Sequence, residues 1–421
     1  MGKVSIDALK PGMVLAEDIT HTNGRFLLGK GVKLEENHLR MLKMWGIHSA
    51  SVEGISGEPT PPPLEQIDPH ILKDAEKRVR RRFVHCQTEH PFMQELIRIC
   101  TLRQAQQMVM QKSSLDPSDL EALEALVAPK RQPTAPSPSS KVKPEDIIDS
   151  DIGLASLPNI FWEITKVTSD PRSSAVHVAE VISKDTSLSA KLLKMVNSAF
   201  YGFPAKIDTI SRAVMIVGSK QLSTLALGTS VIQIFRSIPA ELVDMKGFWQ
   251  HSICCGISAR MISSFKNAPN TERFFVAGLL HDIGRIILYK KLPRLGKEIL
   301  LLARQSHNLL RTVENQMLGF DHAILGGVLM KKWRLPLILE HTVGYHHQPL
   351  RCQYPSEAAI INLADLLTNA LGIGSSGERY IPPLSPEVWD ALGLPVEIFH
   401  KTVQTIDHQV AEIMHTFFDE N

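Results

Sequence analysis

The segment Ala277-Gly278-Leu279-Leu280-His281-Asp282-Ile283-Gly284-Arg285 decides how this chain of 421 residues is read. It is an apolar helical run interrupted by two adjacent polar side chains. An imidazole and a carboxylate buried there without partners would be strongly destabilising, so a metal ion or a hydrogen-bond network must compensate. The pair is therefore read as the core of a metal site, or of a site descended from one.

Working outward, the surrounding sequence from about Ile148 has dense helical periodicity. Leu188, Leu192, Met195, Val196 and Ala199 fall at i, i+4, i+7, i+8 and i+11, one stripe of an amphipathic helix. Asp185 or Ser187 can cap its start, and Tyr201-Gly202-Phe203-Pro204 stops it. Further helices are expected over 209–217, 219–235, 247–266, 271–290, 292–306, 311–317, 321–332, 336–344, 355–371 and 387–418. Strand signals nearly vanish after residue 150, so this part is read as an all-α domain.

Six stations of metal-ligand type lie along these helices: His251, His281-Asp282, His322, His341, His346-His347 and Asp365. Asp365 interrupts an apolar run, Ile360 to Leu366, much as His281-Asp282 does. Imidazole and carboxylate donors together suit Fe, Mn, Zn or Ni better than Ca or Mg. Five or six such ligands are enough for two ions, and two ions about 3.5–4 Å apart can bind a phosphate ester and activate water for in-line attack. A lone helical histidine is usually a surface or satisfied core residue, and His177, His307 and His341 are set aside on that ground.

Composition sets bounds on everything else. Hydrophobic residues are 43% and charged residues 21%, ordinary for a soluble globular protein, and the formal net charge of +2 commits the chain to neither nucleic acid nor anionic lipid. Five cysteines, an odd number with no CxxC, make neither a disulfide framework nor a thiolate zinc site. The N-terminus lacks an apolar signal region, and no apolar run approaches the ~18–20 residues that would cross a bilayer. The expectation is a cytoplasmic protein with reduced thiols and no membrane insertion.

The expected organisation has five parts. Residues 1–54 read as a small α+β module, with a turn at Asn23-Gly24, a helix over 35–45 ended by Gly46, and a closing strand over 47–52. Residues 65–128 are a helical connector, set off by Pro59 and Pro61-Pro62-Pro63. It carries the basic run Lys77-Arg78-Val79-Arg80-Arg81-Arg82, which reads as a solvated helix face because no aromatic residues interleave it; nucleic acid is not the expected partner. The long helical stretch could pair two chains in a homodimer, but it has no clean heptad. Residues 129–147 are a Pro/Ser-rich linker, 148–370 the helical domain, and 371–421 a helical extension.

Seven segments of the helical domain belong together: Leu157-Pro158, Ile182 to Leu188, Val196-Asn197-Ser198-Ala199-Phe200-Tyr201-Gly202, Ile210-Ser211-Arg212-Ala213-Val214, Gly278 to Gly284, Trp333-Arg334-Leu335-Pro336 and His346-His347. On these segments the domain resembles the HDOD family, the HD-related output domain of bacterial signalling proteins. The N-terminal module is similar to the small domain often found ahead of HD-GYP phosphodiesterases. The resemblance implies an HD superfamily pattern on His251, His281, Asp282 and Asp365. It also implies HD-GYP-like additional histidines at His322, His346 and His347. Two features depart from the HD-GYP pattern: Arg285 stands where Lys is usual, and Gln348-Pro349-Leu350-Arg351 replaces the Gly-Tyr-Pro loop. The implied function is a signalling output or scaffold module with a retained metal site, working through signalling proteins or a nucleotide. The alternative is a metal-dependent phosphohydrolase of the cyclic-nucleotide phosphodiesterase type, with Asp282 and Arg285 as catalytic groups and Arg285 or Lys331 steadying the phosphate.

Overall fold

The computed structural model describes residues 2–5, 9–20, 26–35, 38–39, 42, 49–52, 67–112, 142–149, 158–170, 172–198, 200–203, 205–234, 242–396 and 398–418. Strands occur, among the described residues, only in the N-terminal module. There β1 (Gly2–Ser5) pairs antiparallel with β4 (Ser49–Val52), and β2 (Ile19–Thr20) with β3 (Phe26–Leu28). The module has its own small core, which includes Leu15, Ile19, Leu34 and Val52. The turn expected at Asn23-Gly24, Gly46, most of the helix expected over 35–45, and residues 129–141 of the expected linker lie outside the described residues.

Everything described from residue 69 onward is helical or connecting. The helices are α1 (Pro69–Arg80), α2 (Pro91–Lys112), α3 (Pro144–Asp149), α4 (Asn159–Ser169), α5 (Ala175–Ser183) and α6 (Thr186–Val196). Then follow α7 (Ile210–Val217), α8 (Ser219–Ile234), α9 (Met245–Phe265), α10 (Thr271–Leu280), α11 (Ile283–Lys291) and α12 (Pro293–Ser306). The last six are α13 (Leu310–Leu318), α14 (His322–Lys332), α15 (Leu337–Gly344), α16 (Pro355–Leu371), α17 (Pro386–Leu392) and α18 (Ile398–Phe418). Asp185 caps α6 as expected, its side chain accepting from the Leu188 amide at 2.9 Å. No helix among the described residues is long and apolar enough to cross a membrane.

Two expected helices are each divided. The span 387–418 breaks between α17 and α18 because Gly393 adopts φ 57° just ahead of Pro395. The span 271–290 breaks at His281-Asp282, where Asp282 leaves helical geometry at φ −96°, ψ 9°.

One hydrophobic core joins α1 and α2 to the helical domain and to α17 and α18, running from Val79 to Phe417. The anchoring is polar as well as apolar. The Arg82 guanidinium donates to the carbonyls of Asn369 and Ala370, and the Ile381 amide donates to the Arg82 carbonyl at 2.8 Å. Arg103 on α2 makes a forked pair with Asp407 on α18. The expected connector and extension therefore pack on the same core as the helices that carry the site.

Candidate metal centre

The break at His281-Asp282 positions the site. In an unbroken helix, neighbouring residues point about 100° apart. Here His281 caps the end of α10 and Asp282 the start of α11, so both side chains turn into the same interior. Close backbone crossings fix the surrounding helices. A Cβ on Gly278 would sit 2.7 Å from the Gly256 backbone of α9, and a Cβ on Gly284 would overlap the His322 carbonyl of α14. Only glycine allows these approaches.

Seven side chains from α9 to α16 and the turn after α15 come together. The donor atoms of His251, His281, Asp282 and Asp365 lie within 4.8 Å of one another, and those of His322, His346 and His347 form a second such group. Asp282 links the two. Its Oδ1 is 2.9 Å from His322 Nε2, while its Oδ2 is 3.3 Å from His281 Nε2 and 3.6 Å from His251 Nε2. Asp365 Oδ1 is 3.3 Å from both His251 Nε2 and His281 Nε2, and the Nε2 atoms of His322 and His347 are 3.0 Å apart.

The outward nitrogens of three rings are held by the protein. His281 Nδ1 meets the Gly278 carbonyl at 2.7 Å, His346 Nδ1 the Val343 carbonyl at 2.8 Å, and His322 Nδ1 the Glu314 carboxylate at 2.6 Å. A carbonyl can only accept, so Nδ1 of His281 and His346 carries the proton and Nε2 carries a lone pair when the ring is neutral. The Nε2 atoms of His251, His281 and His346 are buried without a hydrogen-bond partner. Lone pairs therefore converge on two carboxylates, an arrangement of acceptors facing acceptors that a cation resolves. This donor set, with its outer nitrogens oriented by second partners, fits one or two divalent transition-metal ions.

The side chains of the centre shift one another's ionisation in opposite directions. Burial alone would raise the Asp282 carboxyl, but Arg285, His281 and His322 hold it well below its usual range. Burial likewise opposes ionisation of Asp365, and the His251 and His281 rings, each 3.3 Å away, outweigh it. Burial and Arg285 push His322 down, yet Glu314 and Asp282 raise it to about 9. His281 is raised well above its ordinary value because Asp282 outweighs burial. His346 goes the other way, to about 3, through burial and the neighbouring His281 and His322.

Glu314 is the functional residue that sequence reasoning missed. It is 1% exposed, and it also accepts from the His322 backbone amide at 2.9 Å. The available signal was a carboxylate on the apolar face of α13, where Leu310, Val313 and Glu314 are the buried positions. Asn369, one turn after Asp365, was missed too; its side-chain amide donates to Asp365 Oδ1 at 2.7 Å.

Two cations expected to face a phosphate have other settings. Arg285 is 3% exposed and lies 3.4 Å from Asp282, 3.8 Å from Glu314 and 3.9 Å from Glu378, with Ser376 Oγ accepting from it at 2.5 Å. Its guanidinium is engaged by the protein's own carboxylates, which makes it a positioning residue for Asp282. Lys331 lines a separate groove of about 370 Å³ with Glu340 and His341. His307 hydrogen-bonds Tyr380, and His177 takes part in the capping box of α5.

Residues 154–349 match the family model described as the HDOD domain; Asp365 lies beyond the matched range. An uncharacterised protein of Treponema pallidum (strain Nichols) is 25% identical over 202 residues, which are 48% of this chain and 39% of that protein, so the alignment spans well under half of that relative's length. Among solved structures, an HDOD domain protein of unknown function from Geobacter sulfurreducens superposes with a TM-score of 0.55 at 22% identity, covering 66% of this chain and 97% of that one. A candidate phosphohydrolase from Shewanella amazonensis SB2B gives 0.51 at 22% identity over 62% and 94% of the two chains. A candidate signal transduction protein from Marinobacter aquaeolei VT8 gives 0.51 at 22% identity over 73% and 67%. At these identities the likeness is one of fold.

Proposed function

Residues 154–349 are an HDOD domain, and from that premise we propose that the chain is a signal-transduction protein whose helical domain holds one or two divalent transition-metal ions and acts on partner proteins as an output or scaffold module. His251, His281, Asp282 and Asp365 would hold one ion, and His322, His346 and His347, with Asp282 between the groups, a second. The observation that carries the reading is closure. Six of the seven donor residues are no more than 4% exposed, and three histidines are locked by their outer nitrogens. Closed, fully protein-liganded sites are structural or regulatory, whereas catalytic sites keep an open position. In this setting Arg285 and Asn369 hold the two carboxylates, and Glu314 holds His322.

One feature favours the phosphohydrolase alternative. His347 is half-buried, and it lines a groove of about 630 Å³ with Arg311, Thr312 and Gln348. Arg311 Nη1 donates to the His347 carbonyl at 3.2 Å, which leaves most of its donors to orient an anionic ligand at this opening. Bound there, divalent ions supply Lewis acidity toward a phosphate oxygen.

Elemental analysis of anaerobically purified protein tests the first reading. At least about one equivalent of Fe, Mn, Ni or Zn is expected, and the His281→Ala variant should lose it. A folded protein that takes up none of these ions on reconstitution would sink the proposal. Turnover of a phosphodiester or phosphomonoester by the loaded protein, abolished by His281→Ala, would establish the alternative.

A further inference from the structure

The basic run of α1 has no part in the metal centre. It forms one wall of a cleft of about 1360 Å³. The facing wall is the segment 374–380, with His307 beside it. Seven basic side chains and three carboxylates line the space. Two of the carboxylates are taken. Glu76 pairs with Arg80 at 2.7 Å, and Glu378 accepts from the Leu310, Arg379 and Tyr380 amides and lies 3.9 Å from Arg285. Among the cations, Arg82 is committed to the carbonyls of Asn369 and Ala370. Lys73, Lys77, Arg78, Arg81 and Arg379 make no ion pair among the described residues, and only Asp74 is left to balance them.

The arrangement of these five cations selects a ligand. Lys73, Lys77 and Arg81 follow one another at i, i+4 and i+8, so their backbone positions step by about 6 Å along about 12 Å of helix. Arg379 faces them from the other wall. A row of cations opposed by another suits several linked anionic groups better than a single phosphate. The walls are also preorganised. His85 Nε2 meets the His307 carbonyl at 2.8 Å, and the Tyr380 hydroxyl meets His307 Nδ1 at 2.5 Å. Tyr380 is buried, with its ring edge against His85. It offers no free face for a base to stack on, which disfavours single-stranded nucleic acid.

We infer that this cleft is an oligophosphate-binding site, taking three or more linked phosphates as found in a nucleoside oligophosphate or inorganic polyphosphate. Its facing wall lies back to back with the metal centre. Gly374 packs on the Gly247 carbonyl and the His251 amide, at a φ of 66° that only glycine adopts readily, while Ser376 and Glu378 hold Arg285.

The test is calorimetric titration of the full chain, first stripped of metal by a chelator, with tripolyphosphate at low ionic strength. One tripolyphosphate per chain is expected, bound less tightly as salt rises. The Lys77→Glu/Arg81→Glu variant alters two exposed residues and should bind at least about tenfold more weakly. Arg379→Glu, on the opposite wall, should weaken binding as well, and His281→Ala should bind like the unaltered chain. Adenosine triphosphate in a parallel arm distinguishes the sources: tighter binding than tripolyphosphate indicates a nucleoside oligophosphate, and equal binding indicates the phosphate chain alone. The inference is overturned by absence of binding, by unchanged affinity in the two charge-reversal variants, or by loss of binding in His281→Ala with retention in those variants. A mixed-sequence oligonucleotide that displaces tripolyphosphate at far lower concentration would also overturn it, making the surface one for nucleic acid.

Discussion

Replacing Glu314 with glutamine isolates what the second partner of a histidine ligand contributes. The residue is 1% exposed, its Oε2 accepts from His322 Nδ1 at 2.6 Å and from the His322 amide at 2.9 Å, and its Oε1 lies 3.8 Å from Arg285 Nε. Glutamine keeps the shape and one acceptor but removes the charge. If its amide nitrogen turns toward the ring, His322 must move its proton to Nε2, and the lone pair that faces Asp282 and His347 is withdrawn. Loss of such a partner typically lowers metal affinity about 10–100-fold, equivalent to about 1.4–2.8 kcal/mol. Competition against a chromophoric chelator reads the affinity, and a thermal melt of the metal-free variant shows whether the fold survives. An affinity within about twofold of the unaltered protein, in a folded variant, would refute the argument that Glu314 orients His322.

Four further outcomes follow from the same structure. Gly284→Ala should destabilise by about 1–3 kcal/mol or more through overpacking and should also cut metal content, because the added methyl overlaps the His322 carbonyl; melts and elemental analysis read the two effects. Burial raises the thiols of Cys86, Cys100 and Cys254 to about 12, so the native protein should resist alkylation at pH 8 and react once unfolded. Above the ordinary thiol value of 9.0 the unfolded chain binds fewer protons than the folded one, so stability measured by denaturant titration should fall as pH rises from 9 toward 12. Arg103→Ala should cost less than about 1 kcal/mol in chemical denaturation despite its forked geometry, since Asp407 is 56% exposed.

Much of the fold was legible in the sequence, since helix starts and stops are local events. Asp185 sits ahead of an apolar stripe, and its carboxylate caps α6; Pro355 and Gly372 bracket α16, within a residue of the span read from periodicity. The divided helices were less legible. Gly393 followed by Pro395 is a local signal that a 3.6-residue pattern overrides when counted over a long window. The break at His281-Asp282 carries no glycine or proline of its own, and it arises where two helices are pressed on α9 and α14.

The residue types of the centre were determined by sequence alone: histidines and aspartates that interrupt apolar helices must find partners, because burial without them is prohibitive. Their assembly was decided only in three dimensions. His251 and Asp365 are far apart in the chain, and no spacing rule encodes the 3.3 Å between them. Nor does sequence distinguish Arg285, enclosed by three carboxylates, from Lys331 in a separate groove. The His281-Asp282 pair required a compensating partner from the outset. Packing decided which one, because close helix crossings at Gly278 and Gly284 bring the other five donors, and the Glu314 carboxylate behind them, within bonding reach.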